Sequence, residues 1–193
     1  MNILQSTIAA LLLIASCFSN ADWQLNNELS DLSLVTTKAT HIAEVHHFKK
    51  LSGAAGEQGA SVIIDLASIH TNIDIRDQRM GDMLFETAKF PNAAFTAAID
   101  LKAVEGLEVG ERLNQNITGT LSLHGASQNL DLGQVTITRL ADNRLLVANQ
   151  RPVLVNAASF NLVAGVEKLR QAAGLPSISN AVPVSFQLVF EKK

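Results

Sequence analysis

The side chains best suited to chemistry in this sequence are imidazoles and a carboxylate gathered early in the chain: His41, Glu44, His46 and His47. Such groups ligate zinc and other transition metals, and a histidine can also hold haem or move a proton near neutral pH. Their spacing argues against one shared ion. Successive strand residues point to opposite faces, so His46 and His47 cannot easily serve the same metal, and His70 and His124 would join them only through the fold. A metal- or haem-associated redox accessory, or an enzyme, using His46, His47 or His124 is therefore the alternative reading and not the leading one. The spacings that place a nucleophile or a water beside its base, Gly-x-Ser-x-Gly, Ser-x-x-Lys and His-Glu-x-x-His, do not occur. No catalytic or metal-ligating residue is assigned, and no cofactor is expected. Gly53, Gly56 and Gly59 are followed by neither Lys-Ser nor Lys-Thr, and the next element reads as a strand, so they suit a hairpin better than a phosphate cradle. Asp74, Arg76, Asp77 and Arg79 form the densest charged cluster. They fit either a self-paired, solvated helix start or a polar rim that receives a ligand head group.

The elements that must position these groups are strands. After residue 22 the dominant pattern is period-two alternation, as in Ala93, Phe95, Ala97, Ile99 and Leu101, then Ile117, Gly119, Leu121 and Leu123, and finally Val182, Val184, Phe186, Leu188 and Phe190. Further strands are predicted at Trp23–Asn26, Ser30–Thr37, Ile42–Leu51, Ser61–Leu66 and Arg144–Val155. Between Gly125 and Leu140 the apolar parity changes from Leu130 and Leu132 to Val135 and Ile137, which predicts a β-bulge near Gly133. Pro183 suggests an edge or a strand start. Two stretches break the rhythm. Ile75–Phe90 reads as one or two short helical turns, and Asn161–Ala173 as a longer helix capped by Asn161 and ended by Gly174 and Pro176. The sum is an all-β fold, a single antiparallel barrel of about eight strands with one short and one longer helix.

Composition narrows the partners. With 193 residues and 47% hydrophobic content the chain can bury one domain's core. Its 15 Lys and Arg against 18 Asp and Glu, with one Trp and no Tyr, exclude the basic and aromatic surfaces that hold nucleic acid. Ile8–Ile14 is an apolar run too short to span a bilayer but suited to an export signal, and Ser19-Asn20-Ala21 predicts cleavage after Ala21. The expected organisation is a signal peptide over 1–21 and one domain over 22–193, periplasmic and without a transmembrane segment. Ile14-Ala15-Ser16-Cys17 also resembles a permissive lipobox, so a lipoprotein anchored at Cys17 is the alternative.

Several segments together resemble a family. Ile73-Asp74-Ile75-Arg76-Asp77-Gln78-Arg79-Met80, Leu84-Phe85-Glu86, Phe90-Pro91-Asn92-Ala93 and Leu121-Ser122-Leu123-His124-Gly125, with stretches near both ends, are similar to the YceI-like proteins. The resemblance implies a lipocalin-like barrel, exported to the periplasm, that encloses a polyisoprenoid or similar long-chain lipid, in a setting that includes stress response. It implies no catalytic motif, and a homodimer is one assembly it allows. A barrel of about eight strands is either filled by its side chains or holds one ligand. Choosing the more apolar strand faces as the inside, Ile64, Leu66, Phe95, Ile99, Leu121, Leu123, Phe186 and Leu188 should line the cavity. Arg76 and Arg79 should stand at its mouth, where a guanidinium meets a pyrophosphate or quinone oxygen. Small residues along Ala93–Ala98 and Gly119 should leave volume unfilled.

Overall fold

A computed structural model describes residues 22–193; the predicted signal segment, its cleavage point and Cys17 lie outside them. Alternation produces sheet through most of this length. The strands are β1 (Trp23–Lys38), β2 (Ile42–Phe48), β3 (Leu51–Gly56), β4 (Gly59–Asp65) and the two-residue β5 (Ile69–His70). Helix α1 (Asp74–Arg79) continues into a wider π-type turn, Met80–Phe85, and is followed by β6 (Asn92–Ala97) and α2 (Leu101–Glu105). Then come β7 (Arg112–Leu123), β8 (Ala126–Leu140), β9 (Arg144–Asn149), β10 (Val153–Asn156), α3 (Val163–Ala172) and β11 (Ala181–Lys192).

All the pairings are antiparallel. Following hydrogen bonds around the wall gives β1-β3-β4-β6-β7-β8-β9-β11, and β11 returns to β1 from Trp23–Lys192 to Leu34–Val184. The result is the expected closed eight-stranded barrel, which leaves its eight wall strands no unpaired edge. Three extra strands lengthen the wall at one end. The far half of β1 pairs with β2, β2 with β5, and the start of β11 with β10.

Several boundaries differ from those predicted, each for a local reason. The two strands expected over 23–37 are one, because residues 27–30 are pinched out as a bulge opposite β11. Asn26 Oδ1 accepts from the Glu28 and Leu29 amides, and Ser30 Oγ accepts from Val189 N–H at 2.9 Å, so the interrupted ladder keeps its partners. Ile42–Leu51 and Arg144–Val155 each break in two, the second just before Val153 at Pro152, whose ring cannot donate. The glycine-rich stretch is a hairpin with a two-residue turn, Gly56 pairing Gly59, while Gly53 lies inside β3. The bulge predicted near Gly133 is present: Leu132 and Gly133 together oppose Ile117, and Asp131 Oδ1 takes the Gly133 N–H at 2.8 Å.

The strand expected through Leu101 stops at Ala97. Asp100 Oδ1 accepts from Ala103 N–H at 3.1 Å, capping α2, whose Leu101 and Val104 are buried at one end of the barrel. Asn161 does not cap α3. It takes a left-handed conformation ending the 3₁₀ turn Ala157–Phe160, and α3 begins at Val163 with no side-chain cap. Pro183 lies inside β11, opposite Leu154 and just past the last β1 pair at Val184.

Candidate functional site

Inward-facing side chains do not fill the barrel. They enclose a cavity of about 470 Å³, inside the usual range of small-molecule sites and almost wholly apolar. The eight residues chosen by strand parity, and Arg76 and Arg79, stand on its lining. Ile64 comes from β4, Phe95 from β6, Leu121 and Leu123 from β7, and Phe186 and Leu188 from β11. Leu66 and Ile99 are there too, but from outside the strands: Leu66 opens the 3₁₀ turn after β4, and Ile99 lies between β6 and α2. Gly119 does not leave empty space as expected, because the Phe95 ring lies over it.

The two ends of the cavity differ. One is closed by α2, whose Leu101 and Val104 line it; Glu105 of α2 holds Lys192 at 2.9 Å, and Lys192 and Arg139 flank the ring of fully buried Trp23. The other end is the mouth, and it is a ring of bonded elements. The segment after α3 is joined to the end of β1 by Ser179 N–H to the Thr37 carbonyl (2.8 Å) and Ala39 N–H to the Ser177 carbonyl (2.9 Å). Arg79 Nη1 donates to the Ala172 carbonyl at 3.4 Å, linking α1 to the end of α3. Arg76 Nη1 reaches Glu44 of β2 at 2.9 Å, and Glu44 pairs in turn with Lys38 of β1 at 2.6 Å.

Arg76 and Arg79 both stand at the mouth, yet they are not equivalent. Arg76 spends its donors internally: Nε on Thr71 Oγ1 (2.8 Å), Nη2 on the Thr71 carbonyl (2.6 Å) and Nη1 on Glu44. Asp77 completes the knot by accepting from the Thr71 amide (2.9 Å) and hydroxyl. This is the self-paired helix start, and it removes Arg76 from the head-group role assigned with Arg79. Among the described residues no carboxylate lies within ion-pair distance of Arg79, so its guanidinium keeps donors for an incoming acceptor.

The histidines do not converge. His46 lies on the cavity lining, 2% exposed, with Nε2 bonded to Thr36 Oγ1 at 2.9 Å and Nδ1 unpaired among the described residues. His47, on the opposite face of β2, meets the His70 ring edge-on. His124 sits in the two-residue β7–β8 turn, where Nε2 bonds Glu86 at 2.8 Å and the ring packs on Phe90. Among the described residues no three His, Cys, Asp or Glu side chains form a group that could hold a metal ion.

Lys38, Glu44 and Thr36 were missed as mouth residues. The signal was available: Leu32, Leu34, Thr36 and Lys38 share one face of β1, and Glu44, His46 and Phe48 one face of β2, each turning polar toward the same end.

Burial holds the His46 imidazole below its ordinary value of 6.5; Arg76 and Lys38 push the same way, and Glu44 and Asp77 oppose them. Glu44 is also held below the usual carboxylate range, first by its bond to Lys38. Well above pH 6.5 His46 is neutral in both states and contributes no pH dependence. Below it the unfolded chain takes up a proton that the folded one refuses, so stability falls as the pH drops until the folded imidazole itself titrates. Melting temperature followed from about pH 7.5 to about pH 5.5 should decline, and His46→Gln should flatten that decline. Glu44 is silent in this window because its contribution is lost only below its ordinary value of 4.5. An unchanged slope in His46→Gln assigns the pH dependence elsewhere.

A closed eight-stranded antiparallel barrel around an apolar interior defines the lipocalin-like class of folds. The model of the YceI-like domain matches residues 23–190, and the chain belongs to that family. A solved structure described as a polyisoprenoid binding domain from Saccharophagus degradans implicated in plant cell wall breakdown is 43% identical, with a TM-score of 0.87 over 90% of this chain and 99% of that one. BcnA of Burkholderia cenocepacia shares the fold at 20% identity (TM-score 0.63; 86% and 98% covered). So does the Campylobacter jejuni YCEI protein at 18% (TM-score 0.52; 77% and 85% covered). The comparison with curated proteins gave no match.

Proposed function

We propose that this protein is a non-enzymatic carrier or store for a long-chain apolar lipid of the polyisoprenoid or isoprenoid-quinone type, working in the bacterial periplasm. The apolar cavity inside the closed barrel carries the reading, since it offers one elongated tail a dry lining from end to end. Affinity comes from apolar area removed from water, worth about 25 cal/mol per Å² before the cost of ordering the chain. Arg79 at the mouth supplies the polar contact that sets which end of the lipid stays outermost. The 43% identical relative described as a polyisoprenoid binding domain supports the same class of ligand.

Native mass spectrometry of protein recovered from its own cell envelope should show one lipid-sized adduct that organic extraction removes. A chain that carries no lipid, and takes none from polyprenol or quinone vesicles, overturns the reading. Export with cleavage after Ala21 belongs to the same proposal, and intact mass tests it: the mature chain should begin at Asp22. A diacylated or triacylated Cys17 would replace it with a membrane-anchored lipoprotein.

A further inference from the structure

Scattered apolar side chains on a protein surface need no explanation, but those at the cavity mouth are not scattered. Ile73 and Ile75, 46% and 53% exposed, belong at once to the outer surface and to the cavity lining. Ile42, 51% exposed, stands opposite Lys38 in the β1–β2 ladder and on the same face of β2 as Glu44, one step further out than the Arg76–Glu44 bond. The apolar inner surface thus runs over the lip and out into solvent on the α1 and β2 side.

Charge at the lip has a sign. The lining holds Lys38, Arg76 and Arg79 against Glu44 alone, and the Asp77 carboxylate is turned onto Thr71 and His70. Exposed Asp74 is the remaining acid of α1. Apolar side chains beside a small surplus of cations are what the boundary between phospholipid head groups and acyl chains accepts.

We infer that the mouth is a docking surface for a phospholipid bilayer. Ile42, Ile73 and Ile75 enter the head-group boundary while Lys38 and Arg79 stand at the level of the phosphates. The carried lipid then passes between bilayer and cavity without its tail crossing water, the step that otherwise makes transfer of a long apolar chain slow. This rests on the lipid-carrier reading above, and the two can fail separately.

The test uses vesicles of phosphatidylcholine, with and without phosphatidylglycerol, loaded with polyprenol. Wild-type protein should float with the vesicles in a density gradient, more with phosphatidylglycerol present, and should extract polyprenol at a rate that rises with vesicle concentration. Ile75→Asp should reduce flotation by about tenfold. Ile42 does not line the cavity, so Ile42→Asp should reduce flotation and slow extraction from vesicles while leaving uptake of detergent-dispersed polyprenol unchanged. Extraction by Ile42→Asp and Ile75→Asp at the wild-type rate overturns the docking surface. So does an extraction rate independent of vesicle concentration, which would point to transfer through water. A chain that takes up no polyprenol even from detergent overturns the carrier reading instead, and flotation of the variants still decides the surface.

Discussion

Replacing Leu121 by Trp should abolish lipid retention while leaving a folded barrel. Leu121 lies in the part of β7 that pairs with β6, opposite Phe95, and its buried side chain lines the cavity. An indole there takes up volume that the lipid tail would need. Overpacking a filled core costs about 1–3 kcal/mol and distorts its surroundings, whereas a cavity of this size absorbs the added atoms with little strain. The expected result is a melting temperature close to wild type and a lipid-bound fraction reduced at least about tenfold, equivalent to about 1.4 kcal/mol of affinity. A sharp fall in melting temperature with lipid still bound to the surviving folded fraction would show that Leu121 is packed core and that the tail runs elsewhere.

The largest loss of stability is expected at Gly119, from a change as small as alanine. A Cβ at this position would stand 2.3 Å from the Thr96 carbonyl oxygen, 2.5 Å from Phe95 Cζ and 2.9 Å from Ala97 Cβ. The Phe95 ring can rotate away, but Thr96 belongs to the β6 backbone, and moving it would prise β6 from β7 at the Ala97–Gly119 pair. Such a clash should destabilise the protein by about 3–5 kcal/mol, a large share of the roughly 5–15 kcal/mol that holds an ordinary domain folded. Urea unfolding of Gly119→Ala measures it, with Gly119→Ala combined with Phe95→Ala as the companion. If the backbone oxygen is the obstacle, the companion recovers little; full recovery would place the whole cost on the Phe95 ring.

Period-two alternation made the barrel legible because closing a sheet around an apolar interior demands inward parity on every strand, and the parity survives in the residues. The bulge at Gly133 was readable for the same reason: it is the residue that repairs a parity error between Leu132 and Val135. What escaped were features decided by competition between local and distant partners. Ile99 and Leu101 continue the alternation of β6, yet the Asp100 carboxylate caps a turn of helix whose Leu101 and Val104 are buried at the barrel end. Asn161 looked like a cap for α3, but Asn tolerates the left-handed conformation equally well, and the chain uses it to leave the preceding turn. The mouth was legible in part. Arg76 and Arg79 share a short motif, and only the three-dimensional position of Thr71 and Glu44 separates the internally tied guanidinium from the available one. Gly119 was misjudged because an absent side chain reads as empty space until the neighbouring Phe95 is placed over it.

The seam that closes the barrel joins the first strand of the described chain to the last, Trp23 lying opposite Lys192. These contacts are as non-local as the chain allows, and topologies dominated by such contacts fold slowly because the loop entropy must be spent before the ladder forms. The interior therefore comes into existence only when the C-terminal strand arrives. On the lipid-carrier reading, loading then follows completion of the barrel and proceeds through the mouth. Refolding should accordingly proceed at the same rate with or without lipid vesicles, and ligand should slow only the unfolding limb of the kinetics.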